Sequence, residues 1–269
     1  MSKKIAFFGD SFVGGYEGWI EVFCKQHNFE CVHVGKYGAD QIYPFVQWQK
    51  LNDTYEGKID VCVYSHTDAH RLFHEDLSVN INHNTLYGNK DKLDNWLNSG
   101  LVTHQYINAA KDYFKYLQHP LETKMRNLLI PIGIDKFIND NNRVFDKIVH
   151  LWSFAQNREY VYKNITWKAN TTWYFDIVSG MNIILDLTNL SASEPQFQLI
   201  DGFCRRPLHF SLENSDFLCD ILHTAIKYYE KGSSLDFRPY INIDSNWNDY
   251  VEALRKIKNV LENKYEKNN

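Results

Sequence analysis

No stretch of this sequence approaches the roughly 18 consecutive apolar residues of a membrane-spanning helix. The amino terminus sets two lysines ahead of a short apolar stretch, Ile5 to Phe8, and Asp10 soon interrupts it. A secretory signal needs a longer apolar region and a small-residue cleavage site, so the expectation is no export and a cytoplasmic location. No CxxC pair occurs, which removes the usual zinc-ribbon spacing. The five cysteines, Cys24, Cys31, Cys62, Cys204 and Cys219, are odd in number and widely separated. Without an export signal they read as reduced thiols, most of them small buried hydrophobes in runs such as Val61-Cys62-Val63. Basic charge is not in excess either. The net charge is -4, so no global field draws nucleic acid. Internal repeats and low-complexity tracts are also missing.

What is present is an ordinary globular composition, 44% hydrophobic and 23% charged, with 15% aromatic residues that can fill a core or line a groove. The first seventy or so residues alternate between two periodicities. Lys4 to Phe8 is a short apolar run that suits a buried parallel strand. Gly18 to His27 carries Trp19, Ile20, Val22 and Phe23 at helical spacing. Glu30 to Val34 reads as a second strand, Asp40 as the cap of a helix running toward Leu51, and Ile59 to Tyr64 as a third strand. A β-α-β-α-β order predicts a parallel, doubly wound sheet with right-handed crossovers.

Further along, residues 74–95 are rich in Asn, Asp and His and read as a surface excursion. Val102 to Leu117 has one apolar helical stripe, Leu121 to Leu129 reads as another helix, and Lys147 to Phe154 as a fourth strand. Residues 158–180 are aromatic and β-prone without a clear period. Asp216 to Tyr229 reads as a helix ending at Gly232, and Asn248 to Tyr265 as a final amphipathic helix. These readings give one α/β domain over 1–231 with an insertion at about 74–145, then a carboxy-terminal extension over 232–269.

The chemistry-bearing signal is Phe8-Gly9-Asp10-Ser11-Phe12-Val13-Gly14-Gly15, where a strand gives way to a polar, glycine-rich turn. In parallel sheets, ligands bind outside the carboxyl ends of the strands. Ser11 stands at such an end, and backbone N–H groups in the turn after it can face a developing oxyanion. The plainer role for Asp10 and Ser11 is that of turn and cap residues.

Gly9-Asp10-Ser11 after a first hydrophobic strand resembles the first block of the SGNH, or GDSL, hydrolase family. The resemblance implies a flavodoxin-like three-layer α/β/α sandwich around a central parallel sheet. It also implies four signature residues in separate blocks: Ser, Gly, Asn and a late His. Val34-Gly35-Lys36-Tyr37-Gly38 matches the second block, with Gly35 or Gly38 supplying an oxyanion-hole N–H. The third block, Gly-x-Asn-Asp in the family, is Ser65-His66-Thr67-Asp68 here. Asp68 matches, while Thr67 replaces the amide donor by a shorter hydroxyl. The last block is Arg206-Pro207-Leu208-His209-Phe210-Ser211. His209 fits, but Arg206 stands where the family has Asp, so orientation of the imidazole passes to Asp201 or to a backbone carbonyl. The wording of the motifs also resembles SGNH-like proteins of tailed bacteriophages, which would set the chain in a host cytoplasm or a virion.

Two functions from different classes follow. One is an esterase or deacylase with Ser11 as nucleophile and His209 as base, acting on a small-molecule or glycan ester without metal or organic cofactor. The other is a catalytically silent module of the same fold that binds a carbohydrate or a protein partner. His66, His70 and His74 recur every four residues, a metal-binding spacing only if the segment is one continuous helix; the strand before it argues against that. Trp167, Trp173, Tyr174 and Phe175 suit a packed core better than a sugar groove. Arg205 and Arg206 read as solvated surface.

Overall fold

The computed structural model describes residues 2–10, 13–14, 19–36, 39–66, 71–72, 74, 79, 81–152, 172–175, 199–200, 203–204 and 234–236, with further helical residues within 219–227 and 252–263. In chain order the elements are β1 (Lys3–Phe8), α1 (Trp19–His27), β2 (Phe29–His33), α2 (Ile42–Thr54) and β3 (Ile59–His66). Then come α3 (His83–Gly88), α4 (Lys90–Asn98), α5 (His104–Asp112), a π-helical turn (Tyr113–Leu117) and α6 (Pro120–Asn141). The strands β4 (Phe145–Trp152), β5 (Thr172–Phe175), β6 (Leu199–Ile200), β7 (Phe203–Cys204) and β8 (Ser234–Asp236) follow. Six strands form one sheet in the order β2-β1-β3-β4-β5-β8, while β6 and β7 pair separately. Every pairing within the six-stranded sheet is parallel.

The apolar run of β1 explains its central place. Ile5, Ala6, Phe7 and Phe8 are all fully buried, as residues covered on both faces must be. On one face Phe7 meets Trp19 and Phe23 of α1 edge-on, at centroid distances of 5.5 and 6.1 Å. On the other face Ala6 and Phe8 join Cys62, Tyr64, Trp48 of α2, and Ile134 and Ile138 of α6 in the main core. Helices therefore cover both faces, and the order of β2, β1, β3, β4 and β5 is that of flavodoxin-like α/β/α sandwiches. Asn28 ends α1 in the left-handed conformation, φ 55°, and the chain turns at once into β2. Asp40 caps α2 as its sequence position suggests, its Oδ1 accepting from the N–H groups of Ile42 and Tyr43 at 3.1 and 2.9 Å.

Within the stretch read as an insertion, α3 to α5 and the π-helical turn close a second, smaller core. Ile81, Leu86, Leu93, Trp96, Ile107 and Phe114 meet there. The helix expected over Leu121–Leu129 is the first half of a longer one, α6, which passes through Pro131. A proline inside a helix costs about 3 kcal/mol. Burying Ile134 and Ile138 on the main core returns roughly 1.5–3 kcal/mol each, enough to carry the helix onward. Thus α6 packs on the main core directly before β4. The edge strand β8 lies beyond residue 231, where the sequence reading ended the domain, and its Leu235 pairs with Tyr174 of β5.

Cys24, Cys31, Cys62 and Cys219 are not in disulfides.

Candidate active site

A sheet of this order has its switch point at β1, because β2 lies on one side of it and β3 on the other. The crevice at that point opens outside the carboxyl ends of β1 and β3. The residue after Phe8 of β1 is Gly9, and the geometry requires glycine there. A Cβ on Gly9 would lie 2.5 Å from Val13 Cγ2, 2.8 Å from the Ser65 carbonyl oxygen and 2.9 Å from Ser65 Cβ. Gly35, just past β2, is pressed on Gly9 in turn, since a Cβ there would lie 2.6 Å from the Gly9 carbonyl oxygen. Hydrogen bonds close the same unit. The Gly35 N–H donates to the Val13 carbonyl at 2.7 Å, the Lys36 N–H to the Gly9 carbonyl at 3.0 Å, and the Val13 N–H to the Asp10 carbonyl at 3.1 Å. Gly9 after β1, Gly35 after β2 and Ser65 near the end of β3 thus meet at the switch point.

Of the residues singled out in the sequence, Gly35 is described. Ser11, Gly38, Thr67, Asp68, Asp201 and His209 lie outside the described residues. The Gly35 N–H, one of two considered for the oxyanion, is already given to Val13. Its glycine serves the close approach to Gly9 instead.

Two polar clusters at this end had no signature in the sequence. In the first, Asp10 is fully buried and its Oδ2 accepts from Arg71 Nη1 at 2.7 Å. The same nitrogen donates to the Ala39 carbonyl at 2.7 Å. Burial pushes the carboxyl of Asp40, the next residue, above its usual range, against the opposing pull of the Tyr43 and Ile42 N–H groups.

In the second cluster, His66 Nε2 lies 2.9 Å from His150 Nδ1, both rings buried beside Tyr64. Burial holds His66 well below the usual imidazole range, with His150 adding to the shift, and brings His150 down to about 3. His150 Nε2 is 3.9 Å from Asp135 Oδ1 of α6, too far for a hydrogen bond, and a neutral imidazole makes no ion pair there. The pair is neutral in the folded protein, one ring donating to the other. An unfolded chain takes up these protons below about pH 6.5, so the stability they confer is present above that pH and is lost as pH falls toward about 3. Unfolding free energy is expected to drop by as much as about 1.4 kcal/mol per pH unit for each of the two histidines. Urea titrations between about pH 7.5 and pH 5 check this, and His150→Gln should flatten the slope; equal stability at the two ends contradicts a neutral buried pair.

The histidine spacing of four therefore has another meaning. His66 is the last residue of β3 and turns into the core, while His74 packs edge-on against Tyr106 at 4.7 Å. Among the described residues no three His, Cys, Asp or Glu side chains gather as metal ligands.

The helical residues within 219–227 fix how the chain returns after the last motif. Cys219 Sγ donates to the carbonyl of Trp19, the first residue of α1, at 3.5 Å. Lys147, near the start of β4, donates to the Ile226 carbonyl at 2.9 Å. The segment accordingly runs antiparallel to the strands, with its amino-terminal end on the Gly9 side.

No family model matches the chain, and no curated protein matches it. Among solved structures it is similar to the crystal structure of the psychrotrophic esterase EstA from Pseudoalteromonas sp., inhibited by monoethylphosphonate. Identity is 11% and the TM-score 0.42, over 84% of this chain and 97% of the other. Among the described residues no helix is long and apolar enough to cross a membrane.

Proposed function

We propose that the chain is a serine hydrolase, an esterase or deacylase that cleaves an ester or O-acyl group of a small molecule or glycan. The observation that carries this reading is the packing at the switch point. Gly9, Gly35 and Ser65 interlock there, and Ser11 follows Gly9 by two residues. In the proposed reaction Ser11 attacks the acyl carbonyl while His209 takes its proton, and His209 then returns that proton to the leaving alcohol. Water, activated by the same imidazole, releases the acid from the acyl-enzyme. The oxyanion is held by the N–H groups of Ser11 and Gly38 and by the Thr67 hydroxyl, because the Gly35 N–H is engaged with Val13. The direction of the 219–227 segment supports His209, since the chain enters that helix from the Gly9 side.

Hydrolysis of p-nitrophenyl acetate tests the reading. His209→Ala is expected to lower turnover at least about a thousandfold with folding intact. Asp201→Asn tells the orienting group apart: a large loss names Asp201, and near-normal activity names a backbone carbonyl. The silent binding module is the second reading, favoured by Thr67 and Arg206 standing where the family has Asn and Asp. A folded wild-type protein that hydrolyses no activated ester supports it.

A further inference from the structure

We infer that Arg71 is a positioning residue for this site: one guanidinium nitrogen locks the Asp10 carboxylate to the Ala39 carbonyl, and so holds together the segments that carry Ser11 and Gly38. The inference rests on the serine-hydrolase reading for its catalytic consequence, but the lock itself is independent of it. Three chain segments meet at Arg71 Nη1. Asp10 belongs to the turn after β1, Ala39 to the connection before α2, and Arg71 itself to the segment after β3. The partners are 61 and 32 residues from Arg71, so no local turn preference brings them together.

Burial makes the contact obligatory. Asp10 is fully buried and the Arg71 side chain only 13% exposed. A carboxylate in that position needs a cation or loses its charge. A buried pair of this kind contributes little net stability when both partners can be replaced together, but removing one partner strands the other. Its value here is geometric. Asp10 adjoins Ser11 in the chain, and Ala39 adjoins both Gly38 and Asp40, whose carboxylate caps α2. Displacing a reacting group by about 1 Å can lower a rate about a hundredfold.

The test compares wild type, Arg71→Met, Arg71→Lys and the double variant Asp10→Asn with Arg71→Met. The rate of Ser11 labelling by a fluorophosphonate is followed, and amide exchange at Gly35 and Lys36 is measured alongside. Arg71→Met is expected to label roughly a hundredfold more slowly. Arg71→Lys restores a cation, so part of the rate returns. The double variant carries the test if Arg71→Met fails to fold, and it stays slow because the tie to Ala39 is gone. Exchange at Gly35 and Lys36 should quicken in both Met variants. Wild-type labelling and wild-type exchange in either Met variant overturn the inference. If wild type itself takes no label, the hydrolase reading fails, and the exchange comparison alone still decides whether Arg71 makes the lock.

Discussion

Ser11→Ala is expected to abolish ester hydrolysis while leaving the fold nearly untouched. The substitution removes one oxygen, so a role limited to capping would show as a loss of about 0.5–2 kcal/mol in stability with turnover intact. A nucleophile behaves in the opposite way. Turnover of p-nitrophenyl acetate should fall by several orders of magnitude, with losses on the order of 10⁶ known for serine nucleophiles, and the unfolding midpoint should stay close to wild type. Both quantities belong on one preparation, because a misfolded sample would imitate the catalytic result. A variant that is less stable but turns over the ester at the wild-type rate removes Ser11 from the mechanism.

Gly35→Ala should produce a large loss of stability from a single methyl group. Its Cβ would stand 2.6 Å from the Gly9 carbonyl oxygen, 2.9 Å from the Gly9 carbonyl carbon and 2.9 Å from Val13 Cγ2. Two of those three neighbours are backbone atoms of the turn itself, so relief requires the end of β1 to move. Overpacking of this kind costs roughly 1–3 kcal/mol, a fall of several degrees in the thermal midpoint for a chain of this size. Ester hydrolysis should fall with it, since the displaced turn is the one that carries Ser11. Gly133→Ala is the matched control. Gly133 lies in α6 with no atom within 4 Å of an added Cβ. Alanine there is expected to gain up to about 1 kcal/mol from helix propensity and to leave hydrolysis unchanged. Thermal unfolding of the two variants side by side checks the pair; equal stability would mean that Gly9 and Gly35 are not in contact.

The first and third strands were legible because each is a short apolar run bounded by turn residues, and burial on both faces demands that pattern. Asp40 was legible as a cap because its bond is local, to N–H groups two and three residues on. The short strands β5 and β8 were not, since four and three residues give too little sequence for a period to emerge. The reach of α6 was hidden by Pro131, whose local preference is overridden by distant packing. At the site, the motifs drew attention to Gly9, Gly35 and Ser65, which pack together at the carboxyl ends of the strands. They did not reveal the Asp10–Arg71 contact or the His66–His150 pair, whose members are 61 and 84 residues apart. The spacing of His66, His70 and His74 suits a metal only on a continuous helix, and His66 instead ends β3 with its ring buried beside Tyr64.

The most direct test of the central claim is covalent labelling. The folded wild-type chain is treated with a fluorophosphonate, digested, and the adduct located by mass spectrometry. The account predicts one adduct, on Ser11, with a rate that rises with pH as His209 loses its proton and with no adduct in Ser11→Ala. Folded wild-type protein that takes no label, or takes it equally well in Ser11→Ala, contradicts it.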